Sequence, residues 1–400
     1  MKVVIIGQGY VGLNLSIMAS KNHEVVGFDV NEPLVNNLNS AKSHIEGITA
    51  EDIRGAKSRG YRASSNPAEL RGAEIVVISV PTPLNENRQP DMSFIESACM
   101  NIARYCQQSA LIVNESTSYP GTVRNFIKPL IESNQEAVCV HSYAVAPERV
   151  DPGNQEWNLE NTPRLVSGLD ATATTKAREF YSEFCTEVIE VSSPEVAESA
   201  KLFENTFRQV NIALVNEFAK VTNKLGISVY EILNAADSKP YGFMKFQPSL
   251  GVGGHCIPVD PSYLAHIGRQ LGVETKFIDL ANETNLAMPG YVTQRVSSDL
   301  GGTLRGQQIM VLGVSYKADV ADVRETPSAI LISELKKLGA EVKWHDPVVT
   351  RWNYEDSTPL APVDAIIIAQ MHEEFLSLPL NRYSNYIFDC TGKFPTQHSL

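Results

Sequence analysis

The segment that most constrains this chain is its first dozen residues. Lys2–Ile6 is a short run of apolar, mostly β-branched residues, and the chain then reads Gly7-Gln8-Gly9-Tyr10-Val11-Gly12 before a helix-length stretch to about Ser20. A buried strand feeding a helix through a glycine-spaced turn opens a parallel, doubly wound sheet. The strand candidates Glu24–Phe28, Glu74–Ser79, Ala110–Asn114 and Val138–Val145 follow, separated by helix-length segments. That alternation predicts an α/β fold.

Each glycine of the turn has a physical task. Gly7 makes the tight turn, Gly9 admits a pyrophosphate, and Gly12 lets the helix pack on the strand. Tyr10 and Val11 open the helix, whose positive end suits phosphate. Asp29 ends the second strand, where a carboxylate accepts hydrogen bonds from a ribose 2′-hydroxyl and repels a 2′-phosphate; no Arg follows it immediately. The expected cofactor is therefore NAD, not NADP. Val80-Pro-Thr-Pro83 and Glu115-Ser-Thr117 stand at the carboxyl ends of later strands, which places Thr82 and Thr117 near cofactor or a catalytic water.

From Ser193 to about Leu225 the pattern becomes one long helix, with no glycine before Gly226. Its apolar residues Val196, Leu202, Phe203, Val210, Ile212, Leu214, Val215 and Phe218 are too many for one face, which predicts burial between elements or a dimer contact. An α/β rhythm restarts at Gln308–Leu312, with strands at Glu341–Trp344, Ala365–Ala369 and Tyr386–Phe388 and a helix opened by Thr326-Pro327. The expected architecture is two Rossmann-like doubly wound parallel-sheet lobes joined by a long central helix. The domains are 1–192 for the dinucleotide, 193–300 as a helical catalytic and dimerisation domain, and 301–400 as a second α/β domain.

Composition narrows the partners. A net charge of −12 over 400 residues argues against broad contact with nucleic acid or anionic membrane. The N-terminal apolar run is too short for a signal peptide, and no stretch approaches a membrane span of ~20 residues. Six scattered cysteines without a CxxC pair predict reduced thiols in a cytoplasm, with no disulfide framework and no metal site.

Gly251-Val-Gly-Gly-His-Cys-Ile-Pro-Val-Asp260 carries the chemistry. Three glycines ahead of Cys256 predict close approach of a ligand to its backbone and sulfur, and a thiolate there is a covalent nucleophile. By itself the segment also fits a structural cysteine in a glycine-rich turn. Lys201 and Asn205, four residues apart on the long helix, share one face.

With Pro147-Glu148, Tyr316-Lys317 and Asp322-Val-Arg324, these motifs occur in an order that makes nearly the whole chain resemble the UDP-glucose/GDP-mannose dehydrogenase family. The resemblance implies four-electron oxidation of a nucleotide-sugar C6 alcohol to a carboxylate with two NAD⁺. Cys256 would capture the aldehyde as a thiohemiacetal that becomes a thioester, keeping it from escaping. Lys201 would stabilise the oxyanion with Asn205 donating beside it. Asp260 and Glu148 would handle protons, and Glu148 with Thr117 would position the hydrolytic water. Carried over likewise are Arg324 near the nicotinamide and a UDP site between the lobes touching Lys201, Asn205, Phe246, Gln247, Pro248, Ser249, Gly253 and Lys317.

Two departures are visible. Val259 stands where several members carry Lys, and Glu148 is followed by Arg149-Val-Asp-Pro-Gly-Asn154. The second, with Glu115-Ser-Thr-Ser-Tyr-Pro-Gly121 and Glu204–Ala213, is similar to the branch acting on UDP-N-acetylhexosamines, nearest in form to UDP-GlcNAc enzymes that serve surface polysaccharides. Arg149 and Arg208 are then either extra donors to the substrate or surface ion-pair residues. The alternatives are a UDP-ManNAc or UDP-glucose enzyme, a nucleotide-sugar sensor without turnover, and a two-electron hydroxyacid dehydrogenase, which needs no Cys.

Overall fold

The computed structural model describes all residues except Glu46, Pro152, Gly153 and Gln155. The chain divides into two compact units, Met1–Glu204 and Asn205–Leu400.

Strands of the first unit are β1 (Lys2–Ile6), β2 (Glu24–Phe28), β3 (Arg62–Ser64), β4 (Ile75–Ile78), β5 (Leu111–Asn114), β6 (Ser142–Val145), β7 (Arg164–Gly168) and β8 (Val188–Glu190). Its helices are α1 (Tyr10–Ala19), α2 (Glu32–Asn39), α3 (Ala50–Ser58), α4 (Ser93–Tyr105), α5 (Lys128–Asn134), α6 (Ala171–Ser182) and the start of α7 (Pro194–Leu225). The strands form one sheet in the order β3-β2-β1-β4-β5-β6-β7-β8. Reversal of strand order between β1 and β4 opens the crevice in which such sheets take their ligands. Two apolar clusters cover the faces of the sheet, one around Val3, Ile5, Leu13 and Tyr181, the other around Val4, Ile6, Ile78 and Ile102.

The expected strands pair in parallel as far as β6, and β7, which the sequence pattern did not mark, joins antiparallel to β6. One expectation needs correction. The run Val138–Val145 becomes a strand only from Ser142, and Val138 and Val140 are exposed. Apolar composition alone did not separate a strand from the loop leading into it.

The second unit holds the rest of α7, then α8 (Val229–Asp237), α9 (Asp260–Gln270), α10 (Lys276–Leu286), α11 (Met288–Asp299), α12 (Pro327–Lys337) and α13 (Glu373–Leu376). Its strands are β9 (Gln308–Leu312), β10 (Glu341–His345), β11 (Arg351–Trp352), β12 (Glu355–Asp356), β13 (Ala365–Ile368), β14 (Ile387–Asp389) and β15 (His398–Ser399). The main sheet runs β10-β9-β13-β14-β15, all parallel. Thr326 caps α12 by accepting from the Ser328 amide, with Pro327 in the first turn, as its sequence predicts.

Within the second unit α7 is tied to α10 by buried amides. Asn216 Nδ2 donates to Asn285 Oδ1 at 3.0 Å, and Asn285 Nδ2 to the Gln209 carbonyl at 3.2 Å. Of the two alternatives expected for α7, burial between elements or a dimer contact, burial within the chain accounts for only part of its apolar surface. Leu202 and Val215 are buried, whereas Phe203 and Leu214 are 66% and 61% exposed, and Val196 and Phe218 are also exposed. No helix among the described residues is long and apolar enough to cross a membrane.

Candidate active site

The turn between β1 and α1 has the backbone its glycines were expected to supply. Gly7 has φ +91°, and a Cβ there would meet the Ser79 carbonyl oxygen at 2.2 Å. A Cβ on Gly12 would lie 1.9 Å from the Gly7 oxygen. Neither position accepts a side chain. At Gly9, by contrast, a Cβ meets nothing within 4 Å. Gly9 also caps α1 without a side chain, so the first-turn amides are left for an anion. Open space at the one glycine and uncapped amides behind it fit a dinucleotide pyrophosphate.

Asp29 leaves β2 beside this turn. Its Oδ2 accepts from the Gln8 amide at 2.8 Å and its Oδ1 from the Asn31 amide at 2.9 Å. Each oxygen keeps a lone pair for a ribose hydroxyl. Asp29→Asn retains an acceptor for Gln8 and removes the charge that repels a 2′-phosphate. Its ratio of kcat/KM for NAD⁺ over NADP⁺ is expected to fall about tenfold or more. Comparable efficiency of the unmodified protein with NADP⁺ would contradict this role.

Further along the sheet edge, Ser116 Oγ accepts from the Val80 amide at 2.8 Å and donates to the Val80 carbonyl at 2.9 Å, lacing Glu115–Thr117 to Val80–Pro83. Thr82, Thr117 and Glu148 are all buried. Glu148 Oε1 accepts from the amides of Arg149 and Val150 at 2.7 and 2.8 Å, which aims the carboxylate. Tyr10 opens α1 and lines a cavity of about 220 Å³ with Val150, Asp151 and Trp157. Burial raises its phenol, helped by Glu148 and Asp151.

Beneath Glu148 lies a charge cluster that sequence reasoning missed. Arg164 opens β7, is fully buried, and stands 3.6 Å from Glu115 and 3.9 Å from Glu148. Its Nη1 also donates to the carbonyls of Ala146 and Pro147. Tyr181 donates to Glu115 Oε1 at 2.5 Å. Burial raises the Glu115 carboxyl, and Arg164, Tyr181 and Lys201 oppose that. The single sequence hint was a charged residue starting the apolar run Arg164–Gly168.

Lys201, only 8% exposed, sits on α7 and acts electrostatically on Glu115. A buried lysine on this face is not the solvated surface residue that helical position alone suggests. One turn earlier, Glu198 accepts from the Gly121 amide at 2.6 Å and the Val123 amide at 3.2 Å, holding the Ser118–Val123 turn. Burial pushes Glu198 up to about 7 against these backbone donors.

Arg149 is placed as an ion-pair residue. Its Nη2 lies 2.5 Å from Glu204 Oε1 and its Nη1 donates to the Pro163 carbonyl at 3.0 Å, so its main donors are committed within the protein. Arg208 is exposed. Pro152 and Gly153, part of the motif following Glu148, lie outside the described residues.

In the second unit, Asp260 begins α9 and is 0% exposed. Asn205 Nδ2 donates to its Oδ2 at 2.6 Å, leaving one amide hydrogen of Asn205 for another acceptor. The Asp260 amide donates to the Cys256 carbonyl at 2.8 Å, so Cys256 stands in the turn leading into α9. The positive end of a helix favours negative charge on that sulfur.

The glycines ahead of Cys256 serve a purpose besides the one expected. A Cβ on Gly253 would meet Tyr316 Cβ at 2.6 Å and the Glu325 oxygen at 3.1 Å, and one on Gly254 would meet the Tyr316 ring at 2.7 Å. The side-chain space is filled by the chain's own Tyr316 and 325–327 segment, and the Gly254 amide donates to the Arg324 carbonyl at 2.9 Å. These glycines let two loops of the protein meet. Arg324 pairs with Asp322 and also interacts electrostatically with Cys256.

Phe246 packs edge-to-face on Phe207, with ring centres 5.8 Å apart, and its neighbour Gln247 is exposed. Pro248 is buried, and the Ser249 amide donates to Asn216 Oδ1 at 2.8 Å. Lys317 is half-buried in the loop after β9. None of the six cysteines forms a disulfide, and among the described residues no group of three or more His, Cys, Asp or Glu could hold a metal ion.

Comparison with known proteins covers nearly the whole chain. Residues 1–185 match the NAD binding domain of the UDP-glucose/GDP-mannose dehydrogenase family, residues 195–287 its central domain, and residues 310–394 its UDP binding domain. Protein CapL of Staphylococcus aureus is 32% identical over 97% of this chain and 93% of its own length. A UDP-N-acetyl-D-glucosamine 6-dehydrogenase of Salmonella typhi is 33% identical over 94% of this chain and 90% of its own. The solved structure of a UDP-D-ManNAc dehydrogenase from Pyrococcus horikoshii superposes with a TM-score of 0.89, at 30% identity, over 98% of this chain and 96% of that one. Fingerprint, domain order and full-length similarity agree, and the chain belongs to the UDP-glucose/GDP-mannose dehydrogenase family as an NAD-dependent nucleotide-sugar dehydrogenase.

Proposed function

We propose that the protein oxidises the C6 alcohol of UDP-N-acetyl-D-glucosamine to the carboxylate through a thioester on Cys256. The observation that carries this reading is Cys256 at the entry to α9, one turn before a wholly buried Asp260 that is held by Asn205. Gly7–Gly12 and Asp29 would hold NAD, and two NAD⁺ in turn would accept the two hydrides that leave C6. Lys201 and Asn205 share a face of α7, and both offer N–H donors to an oxyanion at C6. Loss of one hydride from C6 leaves the aldehyde, the Cys256 sulfur bonds to its carbon with Asp260 taking up or returning the proton, and loss of a second hydride makes that adduct a thioester. Glu148, aimed by two backbone amides, deprotonates the water that cleaves the thioester and frees the thiol, with Thr117 helping to position that water.

The acetamido sugar is favoured by the relatives, among them the Salmonella enzyme named for UDP-N-acetyl-D-glucosamine, and by the Ser118-Tyr-Pro-Gly121 form of the turn. A second reading, UDP-ManNAc, is favoured by the Pyrococcus structure. The test is a panel of UDP-Glc, UDP-GlcNAc, UDP-GalNAc and UDP-ManNAc, with NADH counted per sugar consumed. Two NADH and highest kcat/KM for UDP-GlcNAc are expected. One NADH would indicate a two-electron enzyme, and none a sensor.

The exposed apolar residues of α7 suit a homodimer contact. Leu214→Glu is expected to shift the protein from dimer to monomer in light scattering, and a wild-type monomer would rule that contact out.

A further inference from the structure

Three adjacent strands of the C-terminal sheet, β10, β9 and β13, end at a buried polar cluster that the chemistry above does not use. Asp346 follows β10. Its Oδ2 accepts from the amides of Val314 and Ser315 at 2.8 and 3.0 Å, and its Oδ1 from those of Val348 and Val349, both at 3.0 Å. His372, just ahead of α13, is packed against it, and neither side chain is exposed. His372 Nε2 lies 3.1 Å from Asp346 Oδ2 and 3.2 Å from Ser315 Oγ.

The opposite ring nitrogen decides the tautomer. Nδ1 receives the Asp319 amide at 2.9 Å. A backbone amide only donates, so Nδ1 accepts and the ring proton sits on Nε2. Ser315 Oγ in turn donates to the Lys317 carbonyl at 2.9 Å, and so is free to accept from Nε2. The ring therefore grips the loop on both sides of Lys317, through Ser315 before it and the Asp319 amide after it.

A loop of this kind needs such a grip. Asp319 has φ +59°, a left-handed conformation that a non-glycine residue holds only when its surroundings over-determine it. Its Oδ1 accepts from the Glu373 amide at 3.0 Å, a second tie to the same segment as His372. A Ser-His-Asp nucleophile is not an alternative. Asp319 Oδ1 also lies 3.4 Å from Nδ1, but the Ser315 hydroxyl gives its proton to the Lys317 carbonyl and accepts from the ring, the reverse of the direction a nucleophile needs.

The frame repeats that of the first unit with one change. Gly7 donates to the Phe28 carbonyl and Gly313 to the His345 carbonyl, and Asp29 and Asp346 each follow the second strand and bind the turn after the first. Asp29 is half-exposed, whereas Asp346 is sealed beneath His372. In the C-terminal unit the carboxylate is spent on holding a loop and is closed to a ribose.

We infer that His372 is a positioning residue for nucleotide-sugar binding, because it clamps the Ser315–Asp319 loop that presents Lys317. The inference rests on reading Lys317 as a contact to the anionic substrate. The full-length protein is assayed with the UDP-sugar it oxidises fastest, varying sugar and NAD⁺ separately. His372→Phe keeps the ring volume without either hydrogen bond, and its UDP-sugar KM is expected to rise about tenfold or more while the NAD⁺ KM stays within about twofold. His372→Asn, whose Oδ1 replaces the Nδ1 acceptor, is expected to recover part of the loss. A merely structural role would lower kcat through the active fraction and leave both KM values alone. Should the Phe variant not fold, Ser315→Ala removes the hydroxyl that joins His372 Nε2 to the Lys317 carbonyl, leaves the ring's bond to the Asp319 amide, and is read the same way. Lys317→Ala runs alongside. An unchanged UDP-sugar KM in the folded His372 or Ser315 variant, with a raised one in Lys317→Ala, overturns the inference alone. An unchanged KM in Lys317→Ala overturns the substrate reading of Lys317, and the inference with it.

Discussion

Glu148→Gln, incubated with NAD⁺ and UDP-GlcNAc, is expected to accumulate a sugar adduct on Cys256 that intact-mass measurement detects. The amide cannot deprotonate water, so the thioester forms and then persists. Turnover should fall by the factor a positioned general base contributes, about 10²–10⁴. Cys256→Ala is expected to lose acid formation outright and still bind the nucleotide sugar, since the packing of Gly253 and Gly254 on Tyr316 does not involve the sulfur. Cys256→Ser should stall as an ester, because oxygen is the poorer nucleophile and its ester hydrolyses less readily than a thioester. Full activity in Cys256→Ala, with no adduct in Glu148→Gln, would end the thioester mechanism for this protein.

Arg164→Met is expected to cost about 3–5 kcal/mol of stability. The guanidinium is fully buried and serves two carboxylates, Glu115 at 3.6 Å and Glu148 at 3.9 Å. Removing it leaves both without their countercharge in a region where water does not reach them. Replacing a buried ion pair with apolar groups of similar volume is often tolerated, but removing one partner is not. Arg164→Met/Glu115→Gln should therefore regain part of the loss, because one orphaned charge is gone. Urea unfolding of the two variants and the parent decides it. A loss below about 1 kcal/mol for Arg164→Met would mean that Glu115 is already neutral and that Glu148 is served by the amides of Arg149 and Val150 alone.

Local rules made the dinucleotide turn legible. Gly7, Gly9 and Gly12 are demanded by a backbone that turns within six residues, and each atom that excludes a side chain at Gly7 or Gly12 lies on a neighbouring strand or turn. The long helix was legible for a similar reason, since apolar spacing and the first glycine at 226 mark its extent, and Pro194–Leu225 follows that pattern. Asn205 and Lys201 could be placed on one face by helical period alone. Their partners could not, because Asp260 is distant in sequence and only folding brings its carboxylate to the Asn205 amide.

The Gly251–Gly254 run shows where local reading stops. Glycine announces that something must come close, without saying what. Ligand approach and self-packing leave the same trace in sequence, and only the three-dimensional neighbours, Tyr316 and the Glu325–Pro327 segment, reveal the self-packing. Arg149 is the same case, since a lone Arg reads equally as substrate donor or ion-pair partner until Glu204 is found beside it.

What the sequence by itself determined, then, is whatever depends on the spacing of residues along the chain: the βα turn, the central strands of the doubly wound sheets, the course of α7, and the family to which the motifs belong. Tertiary structure decided which charges leave water and what they meet there. Arg164 with Glu115 and Tyr181, Glu198 with the turn at Gly121, and His372 with Asp346 and Ser315 pair residues from separate elements. Burying a charge or a polar group is costly unless a partner satisfies it. That partner is chosen by how the sheets and helices pack, and no period of 2 or 3.6 residues records it.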